Sequence, residues 1–387
     1  MVKRNIAEAI TKLIDVYPVI ALTGPRQSGK TTLLKEMFGS YRYVSLENLD
    51  NRTFAEQDPN GFLELYNKNV IFDEIQRVPS LFSYIQTIVD ESKIMGQFIL
   101  SGSQNFSLLK NITQSLAGRV ALFKLLPFDF QELNSQQLLP PDYATTIVRG
   151  CYPALYDRPI PTASFYANYI QTYVERDVSE LLQIKDSRLF RTFLKLCAGR
   201  IGQQLNLNNL AIEAGISLPT VKSWLSILES SYIVYQLPPF FNNFNKRLVK
   251  TTKLYFYDTG LVSFLLGIKS EKAVHESEFK GVLFENMVIN EYFKQNYHHN
   301  LYQDFYYWRD SNGHEVDLLI SNQTAYDIVE IKATKTILPK LFAGLDLLKA
   351  IGGEVIARKI LVYGGNENQN RTDYTIWAWN KIKISSE

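Results

Sequence analysis

Apolar positions along the chain fall into two spacings that trade places from the first twenty residues on. Val19–Leu22 is an unbroken apolar run of strand length, and after Gly24 it gives way to a helically spaced set, Leu33, Leu34, Met37 and Phe38. Val70, Ile71 and Phe72 form a second buried run, which ends in Asp73 and Glu74. Phe98, Ile99 and Leu100 form a third, which ends in Ser101, Gly102 and Ser103, and another strand starts at Val120. Runs of this kind alternating with amphipathic helices predict an α/β region over residues 1–165.

The pattern then changes. Helical spacing holds over 166–184 through Tyr166, Tyr169, Ile170, Tyr173, Val174, Val178, Leu181 and Leu182. Leu210 and Ala211 predict a short helix, Gly215 a turn, and Ser217 the cap of a second helix that turns Val221, Trp224, Leu225 and Leu228 inward. Strands at 233–237 and 253–257 follow. The predicted module over 166–268 is a helical linker and a winged helix. Its second helix turns only Thr220, Lys222 and Ser223 outward, and the basic residues lie in the wing: Lys246, Arg247, Lys250 and Lys253. DNA contact and a lid that packs on protein both fit that distribution. Over 269–387 the pattern predicts a helix at 278–295, strands at 301–310, 315–320 and 325–333, a helix at 337–350 and a strand at 359–365, in the order α-β-β-β-α-β.

Chemistry enters with the turn after the first strand. Gly24, Gly29, Lys30 and Thr31 read G-x-x-x-x-G-K-T between a strand and a helix. Glycines let backbone N–H groups converge on phosphate oxygens, and the helix start adds positive potential. The segment Gly24, Pro25, Arg26, Gln27, Ser28, Gly29, Lys30, Thr31 and Thr32 is the expected ATP site. Lys30 would reach the β- and γ-phosphates, and the Thr31 hydroxyl would take Mg²⁺. Asp73 would hold Mg²⁺ through water, and Glu74 would polarise the attacking water. A polar group among Ser101, Ser103, Gln104 and Asn105 would sense the γ-phosphate. Arg119 either enters a neighbouring subunit's ATP site or caps carbonyls at its own helix end. Arg176 would reach phosphate from a lid or pair with a nearby acid.

A second constellation lies near the C-terminal end. Asp317 and Glu330 sit on successive apolar strands, and Lys332 follows Glu330 by two, hence on the same face. Two carboxylates on adjacent strands suit Mg²⁺ or Mn²⁺, with Glu285 from the preceding helix as a third ligand and Lys332 acting on water. Three acids against one lysine leave negative charge over; a buried ion-pair network is the alternative. His298 and His299 are expected in a solvated loop, and His314 beside the acids.

Composition narrows this only slightly. The 387-residue chain has net charge +2, so any nucleic-acid surface must be local. Two cysteines, Cys151 and Cys197, have no metal-type spacing, and no apolar run approaches 18 residues. A cytoplasmic protein without a membrane segment is expected.

"LTGPRQSGKTTLL", "FDEIQRVP", "ILSGSQNF" followed by "LAGR", and "YVERDV" resemble AAA-type (AAA+) P-loop ATPases of a prokaryotic branch. In that branch the ATPase is followed by a domain of unknown function described as restriction-endonuclease-like. The C-terminal region resembles the PD-(D/E)xK nuclease fold: Asp317, Glu330 and Lys332 match its motif, Glu285 matches its common helix acid, and the proline next to Asp317 is missing. The resemblance implies a ring-forming homo-oligomer, of six subunits in some rings, with Arg119 acting in trans. It implies a Mg-dependent ATPase coupled to a nuclease-like domain over 269–387 acting on DNA. An ATP-controlled switch of defence or toxin–antitoxin type, with a nuclease fold that only binds, is the first alternative. A protein remodeller without nucleic acid is the second.

Overall fold

The computed structural model describes residues 2–103, 112, 114–178, 187–240 and 251–384, the side chains of 175–178 excepted. Gln104, Asn105, Leu181, Leu182, the Arg176 side chain and the wing residues Lys246, Arg247 and Lys250 lie outside the described residues. The chain divides into two units. One runs to Phe128 and takes in Ser230–Tyr232 and Tyr297–Asn300; the other holds the rest.

The first unit is built on five parallel strands: β1 (Val19–Thr23), β2 (Arg42–Ser45), β3 (Val70–Asp73), β4 (Phe98–Gly102) and β5 (Val120–Lys124), in the order β2-β3-β4-β1-β5. The unbroken apolar runs have a direct explanation, because both faces are covered. Val19, Ala21, Val70, Phe72, Phe98 and Leu100 join one core with Leu81, Phe82, Ile85 and Val89 of the helix Leu81–Ser92. Ile20, Leu22, Ile71 and Ile99 join the other, with Ile6 and Ile10 of the helix Ile6–Leu13 and Leu33 and Leu34 of the helix Lys30–Met37. Leu22 pairs with Ser101 and Ser101 with Asp73, so the carboxyl ends of β1, β4 and β3 lie side by side. The strand β2 and the helices Leu49–Gln57 and Pro59–Leu65 are additions to the sequence-based expectation. Tyr232, with φ 57, is buried and sets its hydroxyl 2.8 Å from Thr23 Oγ1. Lys124 Nζ lies 4.0 Å from the centre of the Tyr297 ring and 5.6 Å from that of Tyr232.

In the second unit the helices Leu207–Ala214 and Leu218–Ser230 flank Gly215, whose φ of 66 makes the turn. Strands β6 (Val234–Leu237) and β7 (Lys253–Phe256) pair antiparallel. Then come the helix Lys280–His298, β8 (Phe305–Arg309), β9 (Glu315–Asn322), β10 (Ala325–Lys332), the helix Ala343–Gly352, β11 (Ile356–Tyr363), β12 (Gln369–Arg371) and β13 (Tyr374–Ala378). The elements over 280–363 run α-β-β-β-α-β, and the last two strands extend them. The six strands lie in the order β12-β13-β11-β10-β9-β8, antiparallel from β8 to β10 and parallel from β10 to β11. Trp308, Val316, Leu319, Ile328, Leu345, Leu361 and Ile376 are the centre of its core.

Three expectations need correction. Lys253 is no exposed wing residue: it is 2% exposed, held in a carboxylate cluster that compensates its charge. His298 is buried at the end of a helix rather than in a solvated loop, because that helix runs past the expected 295; His299 is exposed. The helix expected from 166 is α-helical over Thr162–Tyr169 and then widens into π turns over Ile170–Val178. No helix of the described residues is long and apolar enough to cross a membrane.

Candidate functional site

The loop after β1 is shaped by two glycines. Gly24 has φ 149, and a Cβ there would come within 2.1 Å of the Leu125 carbonyl oxygen. Gly29, at φ 95, turns the chain into the helix that starts at Lys30. Lys30 is buried and folds back over the loop, donating to the carbonyls of Gly24 and Pro25 at 2.9 Å each. Burial pulls its ammonium down to about 8, against the pull of the Glu74 and Asp73 charges. An anion between Lys30 and the loop would exchange these carbonyls for a better partner. Within the same segment Ser28 is buried, Thr32 is exposed, and Arg26 lies 3.8 Å from Glu47.

Asp73 is the point of convergence. It accepts from Thr31 Oγ1 at 2.8 Å, from Tyr43 at 2.7 Å and, in a very short bond, from Ser101. Thr31 and Asp73 together offer a hydroxyl and a carboxylate, hard oxygen donors that suit Mg²⁺ with water completing its shell. Glu74 follows with φ 56, a left-handed backbone that turns its side chain out of the strand repeat. Ser103 holds its Oε2 through N–H at 3.3 Å and Oγ at 3.1 Å, and Gln76 adds a short bond. Two contributors were not foreseen. Tyr43 reaches Asp73 from β2, a strand too short and polar to read from the pattern. Arg4 donates to the Ser28 carbonyl at 2.8 Å and the Leu126 carbonyl at 2.6 Å, with its guanidinium 4.9 Å from the Phe128 ring centre.

Arg119 sits at the other end of the sheet. Its carbonyl accepts from Val19 N–H at the start of β1, about 13 Å of strand away from Thr23. Its guanidinium donates to Asp90 Oδ2 at 2.8 Å and to the Ala117 carbonyl at 3.0 Å. It is therefore out of reach of its own chain's loop.

In the second unit, β9 and β10 bring Asp317 and Glu330 to one side, where both meet Lys332, at 3.0 Å and 2.6 Å. Asp317 Oδ2 also accepts from Ile331 N–H at 2.7 Å. Glu285 accepts from Lys253 at 3.3 Å and from Tyr255, and Lys253 also pairs with Glu315, which Arg309 holds from the other side at 2.8 Å. Burial, then the Asp317 charge, pushes the Glu330 carboxyl up to about 8. Burial also raises Glu285, against Lys253. Burial opposes the charge on Lys332 and Lys253, but the facing carboxylates outweigh it and hold both above the usual range. The count of three acids against one lysine is thus incomplete. Glu285, Glu315, Asp317 and Glu330 face Lys253, Arg309 and Lys332, four carboxyls against three cations. Glu330 Oε2 is buried without a hydrogen-bond partner. Among the described residues, Glu285, Asp317 and Glu330 do not bring one oxygen each to within 4.8 Å of one another. His314 stands apart, paired with Asp310 at 3.0 Å in the turn between β8 and β9.

Comparison with known proteins places part of this. Residues 16–134 match the AAA domain family, residues 140–272 a domain of unknown function (DUF8612) and residues 280–382 another (DUF4143). The first region is a P-loop domain of AAA type. An uncharacterized protein of Mycobacterium tuberculosis, Rv2008c, is 28% identical over 385 residues, 97% of this chain and 82% of its own length. An uncharacterized protein of Methanocaldococcus jannaschii, MJ1544, is 23% identical over 330 residues, 77% of this chain and 70% of its own. Among solved structures, the Walker-type ATPase PABY2304 of Pyrococcus abyssi aligns with TM-score 0.47 at 15% identity, over 69% of this chain and 96% of that one. AMPPCP-bound DnaA from Aquifex aeolicus aligns with TM-score 0.30 at 18% identity, over 58% and 85%.

Proposed function

We propose that this protein hydrolyses ATP with Mg²⁺ and couples that cycle to a metal-dependent, nuclease-like site that acts on DNA. The convergence of Thr31, Tyr43 and Ser101 on Asp73, beside Lys30, carries the first half. The loop N–H groups and Lys30 bind the phosphates, Thr31 and Asp73 orient the metal, and Glu74 takes the proton of the attacking water. Mg²⁺ held there would supply charge neutralisation to the phosphates. The active form is a homo-oligomeric ring in the cytoplasm, and Arg119 of one subunit serves the site of the next. Lys30→Ala is expected to abolish Mg-dependent ATP turnover, measured as phosphate release. Unchanged turnover in that variant would sink the assignment.

The nuclease-like half rests on the buried, unpartnered Glu330 Oε2 and on the four carboxyls set against three cations around it. Asp317 and Glu330 would hold the ion, Glu285 would have to leave Lys253 to join them, and Lys332 would orient water; a divalent ion would supply Lewis acidity at a phosphodiester. Isothermal titration with Mn²⁺ is expected to show binding that Asp317→Asn loses, along with any DNA cleavage, while ATP turnover stays. Equal Mn²⁺ heats in both proteins rule the site out. The three cations already seated among the acids favour a second reading, in which this unit binds DNA without cutting it and ATP controls that binding. Retained Mn²⁺ binding without cleavage of plasmid or single-stranded DNA selects that reading.

A further inference from the structure

Beyond the carboxylate cluster, β10 runs out through Ala333, Thr334 and Lys335 along an open cavity of about 490 Å³. Tyr143, His275, Lys280, Gly281, Thr334 and Lys335 line it, all within the second unit. Its wall is fixed. Gly364 N–H bonds the carbonyls of Lys332 at 3.2 Å and Thr334 at 2.9 Å, and a Cβ at Gly364 would strike the Ala333 carbonyl oxygen at 2.7 Å. Tyr143 bonds that same carbonyl at 3.2 Å.

The charged side chains that line the cavity, Lys280 and Lys335, are both cations. Among the described residues, neither Lys280 nor Lys335 pairs with a carboxylate. Lys280 opens a 19-residue helix whose first turn holds no acid. Helix starts favour negative charge, so a lysine there stands against the helix dipole until an anion arrives. Beside it Gly281 leaves open space where a side chain would stand. His275 lies between Asp142, 3.4 Å from its Nε2, and the Tyr143 hydroxyl, 3.4 Å from its Nδ1. Tyr143 has a single proton, and if it gives that proton to the Ala333 carbonyl it can only accept from His275. Both ring nitrogens of His275 are thus engaged within this chain. Asp142 and Glu271 lie close by but do not line the cavity; Ala144 N–H and Thr145 Oγ1 hold them at 3.0 Å and 2.9 Å.

We propose that this cavity is a phosphate-binding site separate from the P-loop, and that its ligand is a backbone phosphate of a nucleic-acid strand. The helix start, Lys280 and Lys335 recognise the anion. The strand is assigned as its source because the cavity continues the β10 segment that carries Glu330 and Lys332. That part rests on the nucleic-acid reading given above. Such contacts position a strand without reading its sequence.

The test uses the full chain in EDTA without ATP, with a fluorescent single-stranded oligonucleotide titrated by anisotropy across a salt series. Lys280→Ala/Lys335→Ala is expected to weaken binding about tenfold at low salt. It should flatten the slope of log K against log salt by about 1.4, two contacts at about 0.7 each. ATP turnover should stay at the wild-type level, which also shows that the variant folds. Unchanged affinity and slope overturn the proposal. If inorganic phosphate titrates the wild type but not the double variant, while the oligonucleotide binds neither, the ligand is free phosphate and the nucleic-acid assignment falls. The EDTA removes any divalent ion, so oligonucleotide binding under these conditions does not depend on the metal site. A failed metal site therefore leaves this result intact, and a failed cavity leaves the metal titration intact.

Discussion

Glu74→Gln binds ATP normally and turns it over about 10² to 10⁴ times more slowly than wild type. That range is the usual contribution of a positioned general base. The amide keeps the size of the carboxylate and one acceptor oxygen, so the hold of Ser103 N–H and Oγ on this side chain can persist. What it loses is the ability to take a proton from water. Lys30, Thr31 and Asp73 are untouched, so affinity for nucleotide should not move. Phosphate release under saturating ATP, set beside an equilibrium titration with the same nucleotide, separates the two. Equal turnover would show that the left-handed residue after β3 has no part in the chemistry.

Arg119→Ala is the second large effect, a loss of about 10³-fold or more where an arginine is supplied by a neighbour. The geometry makes the test sharp. Arg119 lies at the start of β5 and the phosphate loop at the far end of β1, so one chain cannot bring them together without losing the sheet. Its pairing with Asp90 in the lone chain must open before it can serve another site. Mixing inactive Arg119→Ala subunits with inactive Lys30→Ala subunits should restore part of the activity, since each supplies what the other lacks. A monomer whose full activity does not depend on concentration rules this out.

The residues of the nucleotide loop were legible because they are local. A strand run, two glycines and a lysine at fixed spacing describe one continuous turn, and the acids that end β3 follow the same logic. Tyr43 and Arg4 were not legible, because nothing in their own neighbourhoods says that a hydroxyl meets Asp73 or a guanidinium braces Ser28. The carboxylate cluster divides in the same way. Asp317, Glu330 and Lys332 follow from strand alternation, whereas Lys253 and Tyr255 arrive from β7, far back in the chain. Lys253 reads as a basic wing residue among other lysines, and only its partners Glu285 and Glu315 reveal it as a buried counter-ion.

Tyr232 and Tyr297 have a consequence for how the chain is made. The five strands of the first unit are all present once residue 124 has left the ribosome. The hydroxyl of Thr23, one residue before the phosphate loop, then waits for Tyr232, and Lys124 waits for the ring of Tyr297. At 5–20 residues per second, the interval between Phe128 and Tyr297 lasts roughly 10 to 30 s. A nascent chain therefore carries a complete sheet that is not yet braced by both tyrosines for that long, and a chaperone or ATP itself has that window in which to hold it.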